Sequence, residues 1–444
     1  MAKLVKRGDF VKTVITYGTF DLLHQGHLNL LKRAKKLGDY LIVGVTTDSF
    51  DVNRGKLNVQ QSVMDRVKAI QDTGLADKII LEEYEGQKVD DVKKYQVDVF
   101  AIGSDWYGDF DYLKEYCEVV YLERTKGISS TQIREKQQFI KLGIIGQGTM
   151  VDKLIEESRY VSGIMVQDVC DTKDMVSMEM LMESCDAMYI LAEPSKRYQI
   201  IKKALEKNCH VICESPATLK KAETQELYQY AYEHHLVLFD AIKTAYLRAY
   251  CRMISLVKGG GIGAVKAIDV TCTSMKPSNA WFYEKEAKGG SFSDWGSFIL
   301  LPIFQLFGMD YKKSSFSSFI DEQKETDLFT QLQLIYDGGV ANGKVGYGVK
   351  SEGSLVISGT KGYVYVPSPW WKMEYFEVRF EDFNRNKRYF YQVEGEGIRY
   401  EVAEFLRLIR THHKNYSVDN TLSIGISEMM EKFFYLDKER INRI

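Results

Sequence analysis

LGIIGQGTM, at residues 142–150, places two glycines directly after a short apolar run. A strand, a tight glycine turn and a helix start in this order are typical of a nucleotide-binding fold. Gly146 and Gly148 are the candidate dinucleotide-binding residues of this turn. Asp168 and Asp171 follow about 20 residues later, where an acidic side chain can bind a ribose 2′-hydroxyl. Such a turn usually opens a chain, so the sequence predicts a separate unit before it.

The composition is that of a globular protein with more than one domain. The 444 residues are 45% hydrophobic and 27% charged, and the formal net charge is -2. A chain of this length exceeds one ordinary core. Its charge argues against a nucleic-acid surface, and no apolar run is long enough for a membrane span or signal peptide. The seven cysteines lack CxxC pairs and zinc-site spacing, which predicts a reduced, cytoplasmic protein without metal-ligating residues.

Short strands alternate with amphipathic helices in the first part of the chain. The strand-like segments are rich in Val, Ile and Tyr: KTVITYGTF, DYLIVGVTTD, DKIILEE, VDVFAIGSDW and CEVVYLE. This alternation predicts a parallel sheet that is covered by helices on both faces. A final helix, roughly SSTQIREKQQFI, is predicted to lead into the glycine turn without a flexible linker.

The remainder of the chain divides at about residue 250. Strand–helix alternation continues up to that point, and later segments such as LFTQLQLIYDG alternate apolar and polar residues, as antiparallel strands do. We therefore expect an α/β protein with three domains. These are a Rossmann-like domain at 1–138, a dinucleotide-binding Rossmann domain at 139–250, and an α+β domain with a mainly antiparallel sheet at 251–444.

Two histidines mark the start of the first predicted helix. In YGTFDLLHQGHLNLL, residues 17–31, the helix is predicted to begin near His27, and His24 shares its face one turn earlier. Gly26 leaves room for a bulky anion, and a helix start offers unpaired amides and positive dipole density. Together these groups favour a site for negative charge that develops on a phosphate. An isolated pair of this kind could also merely cap the helix.

The histidine pair belongs to a larger set of motifs. GTFD at 18–21, HQGH at 24–27, GSDW at 103–106 and RTKGISST at 124–131 together resemble the cytidylyltransferase superfamily, and within it the bacterial glycerol-3-phosphate cytidylyltransferases. The resemblance covers residues 12–135. It implies that an oxygen of a polyol phosphate attacks the α-phosphorus of CTP, with Mg2+ assisting and pyrophosphate leaving. Catalysis there is positioning and charge stabilisation, without a covalent enzyme intermediate.

The resemblance implies roles for individual residues of this chain. Its implied catalytic residues are His24, His27 and Arg124. Its implied CTP-binding residues are Gly18, Thr19, Phe20, Asp21, Gly26, Thr125, Ser129, Ser130 and Thr131. Its implied acceptor or phosphate-binding residues are Arg54, Lys56, Arg66, Asp105 and Trp106, although each basic side chain could equally be a solvated surface charge. Gln25 and Gly74 depart from the family pattern, and both leave the acceptor phosphate open.

Most of residues 140–440 resemble a second family, the Gfo/Idh/MocA oxidoreductases. The likeness lies in CDAMYILAEPSKRYQIIKKALEKNCHVICESPATL, DAIKTAYLRAY and GGSFSDWGSFILLPIFQLFG. It implies NAD or NADP as a cofactor, and it adds Glu214 to the dinucleotide-binding residues. The family's lysine of Glu-Lys-Pro is Ser215 here, and Phe298 replaces its second proton-transfer group. Neither side chain is a useful acid, so Lys243 is a candidate redox residue or, alternatively, a salt-bridged core lysine.

Three hypotheses combine these resemblances. In the first, the protein transfers CMP from CTP to glycerol phosphate or a related polyol phosphate, for teichoic-acid-like or capsular polymers, and its oxidoreductase-like part has altered activity. In the second, that part reduces a keto-phosphate with NAD(P)H before activation by CTP. In the third, it is a non-catalytic module for oligomerisation or sensing. Because both families tend to form dimers or larger assemblies, we expect a homo-oligomer.

Overall fold

The computed structural model describes most of the chain. The described residues are 11–53, 59, 61–84, 86–123, 139–275, 280–321, 323–391, 393, 395–411, 415 and 417–436. The chain separates into two compact units, Met1–Gln138 and Phe139–Ile444, called unit 1 and unit 2 below. The helix predicted near 129–140 lies mainly outside the described residues.

Unit 1 contains a five-stranded parallel sheet, as the alternation predicts. Its strands are β1 (Thr13–Gly18), β2 (Tyr40–Thr46), β3 (Lys78–Glu82), β4 (Val99–Gly103) and β5 (Glu118–Leu122). Its helices are α1 (Gln25–Lys35), α2 (Asp48–Asn53), α3 (Val63–Asp72) and α4 (Gln87–Lys94). The strand order is β3-β2-β1-β4-β5 with parallel pairing throughout. The strand order reverses between β1 and β4, and ligands of open α/β sheets bind at the carboxyl ends of strands at such a point.

Unit 2 begins with a second five-stranded parallel sheet. Its strands are β6 (Ile140–Ile145), β7 (Ile164–Cys170), β8 (Ala187–Ile190), β9 (His210–Glu214) and β10 (Leu238–Ala241). Its helices are α5 (Thr149–Ser158), α6 (Met175–Ser184), α7 (Pro194–Glu206) and α8 (Lys221–Glu233). The order β10-β9-β8-β6-β7 places β6, which leads into the glycine turn, inside the sheet.

An eight-stranded, mostly antiparallel sheet follows in unit 2, which confirms the predicted fold class. Its strands are β11 (Val265–Ser274), β12 (Lys313–Asp321), β13 (Thr326–Tyr336), β14 (Gly339–Tyr347), β15 (Leu355–Gly359), β16 (Tyr363–Val366), β17 (Tyr375–Arg379) and β18 (Lys387–Phe390). The accompanying helices are α9 (Arg248–Lys258), α10 (Ser291–Phe307), α11 (Ile398–Thr411) and α12 (Asn420–Glu431). In this sheet β11 and β14 pair in parallel, between antiparallel neighbours.

A buried carboxyl group joins α10 to β13. Asp327 is 3% exposed, and its Oδ2 accepts hydrogen bonds from the Phe292 amide at 2.9 Å and the Thr330 hydroxyl at 2.7 Å. Burial raises the pKa of Asp327 to about 7, against the effect of those hydrogen bonds. A carboxyl group whose pKa is higher in the folded than in the unfolded state stabilises the fold at low pH, and this stabilisation is lost as the pH rises through the folded pKa.

We therefore expect the Asp327→Asn variant to show a weaker loss of stability between pH 5 and pH 8 than the parent protein. Two pH units separate pH 5 from the folded pKa, and each unit corresponds to about 1.4 kcal/mol, so the two changes in unfolding free energy should differ by roughly 3 kcal/mol. Urea unfolding followed by tryptophan fluorescence reports mainly on unit 2, since four of the five tryptophans lie after residue 139. Identical pH dependences in the two proteins would contradict this assignment.

Candidate functional site

The turn after β1 is tightly built. Phe20 and Leu22 have left-handed backbone angles, with φ values of 54° and 48°. The Phe20 ring is buried and lies over Gly18, where an added Cβ atom would come within 3.0 Å of the ring. Any larger residue at position 18 would displace that ring. The GTFD segment therefore forms one fixed turn at the carboxyl end of β1.

His24 caps the first helix. Its Nδ1 accepts hydrogen bonds from the backbone amides of Gly26 at 3.1 Å and His27 at 3.4 Å. The helix consequently begins at Gln25, two residues earlier than predicted, because a histidine provides the cap that serine or aspartate usually provides. The neutral ring that accepts at Nδ1 carries its hydrogen on Nε2, so His24 can cap the helix and also donate a hydrogen bond.

The two predicted catalytic histidines lie together. Their rings stack with centroids 3.8 Å apart and an interplanar angle of 17°. The His27 ring also meets the edge of the Phe20 ring at 5.5 Å. The pair lies at the amino end of α1, where the helix dipole favours negative charge. The stacked rings and the helix start can therefore act on one anionic group.

Asp51 holds the turn after β1 through hydrogen bonds, although its sequence position does not mark it as a site residue. Its carboxylate is fully buried and accepts hydrogen bonds from the hydroxyls of Thr19 at 2.8 Å and Thr46 at 2.5 Å. The Arg66 guanidinium lies 3.2 Å from the same carboxylate. Asp51 occupies a short helix far from the quoted motifs, so no local sequence signal distinguishes it.

Arg66 differs from both interpretations of its sequence position. The side chain is 0% exposed, so it is not a solvated surface charge. Nη1 donates to the carbonyl oxygens of Thr19 at 2.7 Å and Thr46 at 2.9 Å, and Nε donates to that of Gln61 at 3.1 Å. Because burial and these acceptors occupy the guanidinium, the structure corrects the prediction that Arg66 binds a phosphate directly. Arg66 is a positioning residue of the turn.

A second set of hydrogen bonds holds the turn through Asp21, whose role toward CTP stays a prediction. The Asp21 carboxylate accepts the backbone amide of Gln61 at 3.0 Å, and the Gln61 side chain accepts the amide of Leu22 at 2.7 Å. Residue 61 was not singled out from the sequence. This reciprocal pair joins the GTFD turn to the segment before α3.

Asp105 and Trp106 lie just after β4, in a short 3₁₀ turn at Ser104–Trp106. Both side chains are exposed, and that of Trp106 is 41% exposed. Since β4 pairs in parallel with β1, the carboxyl ends of the two strands meet at one edge of the sheet. The structure therefore places these two residues at the same edge as the GTFD turn, where a ligand can reach them.

Several predicted site residues lie outside the described residues, and their positions are not assigned. They are Arg54, Lys56, Arg124, Thr125, Ser129, Ser130 and Thr131. Gly74, one of the two departures from the family, follows the C-cap of α3 with a φ of 64°. A left-handed residue after a helix end favours glycine, which accounts for the residue found there.

The glycine turn of unit 2 leaves open space beside the start of a helix. Gly146 and Gly148 have φ values of 155° and 92°. A Cβ atom on Gly146 would lie 2.6 Å from the Leu191 Cβ, whereas one on Gly148 would have nothing within 4 Å. The helix α5 starts directly after Gly148 without a side-chain cap. The space beside Gly148 and the uncapped helix start fit a pyrophosphate group.

The structure separates the two predicted ribose-binding acids. Asp171 immediately follows β7, whose last residue, Cys170, pairs with Ile145 at the end of β6. Asp168 instead lies inside β7 opposite Gly143, because the strand continues to Cys170. Asp171 is therefore at the sheet edge near the glycine turn, and the placement of Asp168 corrects its prediction as a ribose ligand.

Comparison with known proteins agrees with the division of the chain into unit 1 and unit 2. Residues 15–136 match the Cytidylyltransferase-like family. The glycerol-3-phosphate cytidylyltransferase of Bacillus spizizenii is 52% identical over 125 residues, which are 28% of this chain and 96% of that protein. The enzyme of the same name from Staphylococcus aureus is 49% identical over 126 residues, which are 28% of this chain and 95% of that protein.

Unit 2 matches two further families. Residues 140–241 match the Oxidoreductase family with an NAD-binding Rossmann fold, and residues 250–365 match the GFO/IDH/MocA C-terminal domain. The chain is a cytidylyltransferase-like domain fused to the N- and C-terminal domains of the GFO/IDH/MocA family.

Solved structures show the same fold for unit 2. A 3-ketoreductase from Actinomadura kijaniata, in complex with NADP and TDP-benzene, superimposes with a TM-score of 0.60 at 14% identity and covers 69% of this chain and 99% of its own. An oxidoreductase from Thermotoga maritima gives a TM-score of 0.56 at 19% identity, covering 66% of this chain and 95% of its own. In the part of the chain that the structure describes, we find no helix with the length and apolar character needed to cross a membrane.

In the GFO/IDH/MocA part, β9 ends at Glu214, and Ser215 and Pro216 follow it. The Ser215–Pro216 peptide bond is cis. The Glu214 carboxylate accepts a hydrogen bond from Arg197 at 3.0 Å, and the 2% exposed Arg197 also donates to the Pro216 carbonyl at 2.9 Å. Glu214 is thus ion-paired within the protein, and its predicted role toward a dinucleotide remains a prediction.

The later family motif lies on α10. The Asp294 carboxylate accepts a hydrogen bond from the Tyr347 hydroxyl at 2.6 Å, and that hydroxyl accepts from the indole of Trp295. Phe298 stands one turn further along the helix and stacks obliquely on Trp295. Tyr347 was not predicted from the sequence, because it reaches Asp294 from β14.

Proposed function

We propose that this protein transfers CMP from CTP to a polyol phosphate, with glycerol phosphate as the expected acceptor. The observation that carries the proposal is the stacked His24–His27 pair at the amino end of α1. It lies beside a rigid turn at the switch point of a parallel sheet, where phosphate groups commonly bind. The strong similarity of unit 1 to two glycerol-3-phosphate cytidylyltransferases supports the same reaction.

In the proposed mechanism, an oxygen of the acceptor phosphate attacks the α-phosphorus of CTP, and the bond to pyrophosphate breaks. Negative charge grows on the equatorial oxygens of the α-phosphate during this step. His24 donates through Nε2, while the helix dipole and the neighbouring His27 face the same charge. Asp51 and Arg66 hold the turn that receives the nucleotide. The chain needs no nucleophile of its own, since the two substrates react directly.

We expect Mg2+ to bind together with the triphosphate of CTP. Among the described residues, no group of three or more His, Cys, Asp or Glu side chains is arranged to hold a metal ion. We assign no catalytic step to the ion. We further propose that unit 2 binds NAD or NADP at the Gly146–Gly148 turn.

The acceptor can be identified by a screen for pyrophosphate release. We expect release from CTP with sn-glycerol 3-phosphate, and slower release with glycerol 2-phosphate, erythritol 4-phosphate and ribitol 5-phosphate. A faster reaction with another polyol phosphate would replace the acceptor in this proposal. No release with any of them would contradict the proposed function. The product, a CDP-polyol, is an activated unit suited to teichoic-acid-like or capsular polymer synthesis. We also expect the protein to form a homo-oligomer.

A further inference from the structure

Lys243 lies just beyond the carboxyl end of β10, at the edge of the first sheet of unit 2. It comes two residues after Ala241, which ends β10 and pairs with Glu214 at the end of β9. Neighbouring strands of a sheet are about 4.8 Å apart, so Lys243 emerges beside the Glu214–Ser215 segment. The charges of Lys243 and Asp294 both act on Glu214, which indicates that the three groups share one region.

The Lys243 side chain is enclosed but reaches solvent. It is 15% exposed, and its ammonium group lies 3.7 Å from the Glu396 carboxylate. Burial lowers the pKa of Lys243; the charges of Glu401 and Glu396 oppose this change, and those of Lys372 and Lys153 add to it. A lysine with a lowered pKa exchanges protons more readily near neutral pH than an ordinary surface lysine.

Glu401 is a buried acid whose charge acts on Lys243. This residue of α11 is 2% exposed, and its carboxylate accepts a hydrogen bond from the hydroxyl of Tyr189 on β8 at 2.8 Å. Burial raises the pKa of Glu401 to about 7, although the Tyr189 hydrogen bond and the charge of Lys243 lower it. A buried acid with this pKa next to a lysine is unusual in a purely structural position.

We propose that Lys243 is the proton-transferring residue of a second active site, at which unit 2 interconverts a phosphorylated ketone and the corresponding secondary alcohol. Ser215 and Phe298 occupy the positions where the family has proton-transfer groups, and Lys243 supplies the missing function from the adjacent strand. The charge of Glu401, which is hydrogen-bonded to Tyr189, acts on the Lys243 ammonium group and opposes the effect of burial on its pKa. The second site rests on the dinucleotide binding proposed for unit 2 and is independent of the reaction proposed for unit 1.

The reaction balances with a dihydronicotinamide dinucleotide as the reductant. The bound dinucleotide supplies a hydride, which carries two electrons. In the reductive direction a C–H bond forms at the carbonyl carbon and the C=O π pair moves to oxygen. Lys243 gives that oxygen a proton, so an N–H bond breaks and an O–H bond forms. Neutral Lys243 then takes a proton from water, and the oxidised dinucleotide leaves with the alcohol.

The charges around Lys243 favour a substrate with an anionic group. Glu396 lies within 3.1 Å of Lys153 and 3.0 Å of Lys372, as well as near Lys243. Although burial raises the pKa of Glu396, the hydrogen bonds from Lys372 and Lys153 and the charge of Lys243 lower it to about 2. Three ammonium groups therefore surround the Glu396 carboxylate, and these donors can also bind a phosphate group.

The test uses the full-length protein and two variants. Lys243→Met removes the exchangeable proton, and Lys207→Met removes a lysine paired with Glu183 on the surface. Binding of NADPH and NADH is followed by fluorescence, and reduction of dihydroxyacetone phosphate by absorbance at the nicotinamide wavelength. We expect one dinucleotide to bind the parent and both variants equally. Reduction should fall at least a hundred-fold in Lys243→Met, remain unchanged in Lys207→Met, and be slower in the parent with unphosphorylated dihydroxyacetone.

A measurement on the parent protein makes the test independent of variant folding. Competitive acetylation with peptide mass spectrometry gives the pH at half-maximal reactivity for each lysine. We expect a lower value for Lys243 than for Lys207, and a still lower value for Lys243 in Glu401→Gln. The proposal is overturned if neither dinucleotide binds, if no keto-phosphate is reduced, if Lys243→Met retains the parent rate, or if Lys243 titrates like Lys207. Pyrophosphate release from CTP is assayed separately, so these outcomes do not depend on unit 1.

Discussion

His24→Asn is expected to slow pyrophosphate release from CTP by about a hundred- to a thousand-fold without destabilising the protein. Asparagine is among the best helix N-caps, and its side-chain oxygen can take over the hydrogen bonds that His24 Nδ1 accepts from Gly26 and His27. It cannot replace the donor at Nε2. The substitution therefore separates the capping role of His24 from its proposed role toward the α-phosphate.

His24→Ala provides the comparison for this prediction. It should lose the same catalytic effect and also about 1 kcal/mol of stability, because the first amides of α1 lose their acceptor. The measurements are initial rates at saturating CTP and sn-glycerol 3-phosphate, together with urea unfolding. If His24→Asn kept a rate within a few-fold of the parent value, His24 would be only a cap.

Arg66→Met is expected to destabilise unit 1 by about 3–5 kcal/mol. Methionine fills much of the same volume, but it leaves the fully buried Asp51 carboxylate without its cation. The carbonyl oxygens of Thr19 and Thr46 also lose the donor that Arg66 provides. A buried carboxylate without its cation and two carbonyl oxygens that each lose a donor make this one of the most damaging single changes in unit 1.

Hydrogen exchange of the full-length protein can locate this effect. Peptides from β1 and β2 should exchange about a hundred- to a thousand-fold faster in Arg66→Met, since a tenfold change corresponds to about 1.4 kcal/mol. Lys68→Met, at an exposed position on the same helix, is the matched control and should leave exchange unchanged. If Arg66→Met exchanged like the parent, Arg66 would not position the turn.

Local patterns predicted much of this molecule. The strands of unit 1 were visible because buried parallel strands are continuous apolar runs of five to seven residues, bounded by polar helices. The histidine pair could be recognised because both residues lie within four positions of one helix start. The glycine turn could also be recognised from the sequence, because the positive φ angles that favour its glycines lie within a single loop.

The parts that sequence could not predict depend on distant contacts. Asp51 and Arg66 are 15 residues apart and meet under the turn only after α2 and α3 have packed. Glu401 follows Tyr189 by 212 residues, and Tyr347 follows Asp294 by 53. Asp168 was misplaced because β7 extends to Cys170, so the first residue after the strand is Asp171. Side-chain chemistry was readable from the sequence, whereas burial and partners were not.

The most direct test of the central claim is phosphorus NMR of the protein with CTP, Mg2+ and sn-glycerol 3-phosphate. The account predicts equimolar formation of pyrophosphate and a CDP-polyol diester, dependent on the acceptor and strongly reduced in His24→Asn. Persistence of CTP and sn-glycerol 3-phosphate, or release of pyrophosphate with CMP as the only nucleotide product, would contradict it.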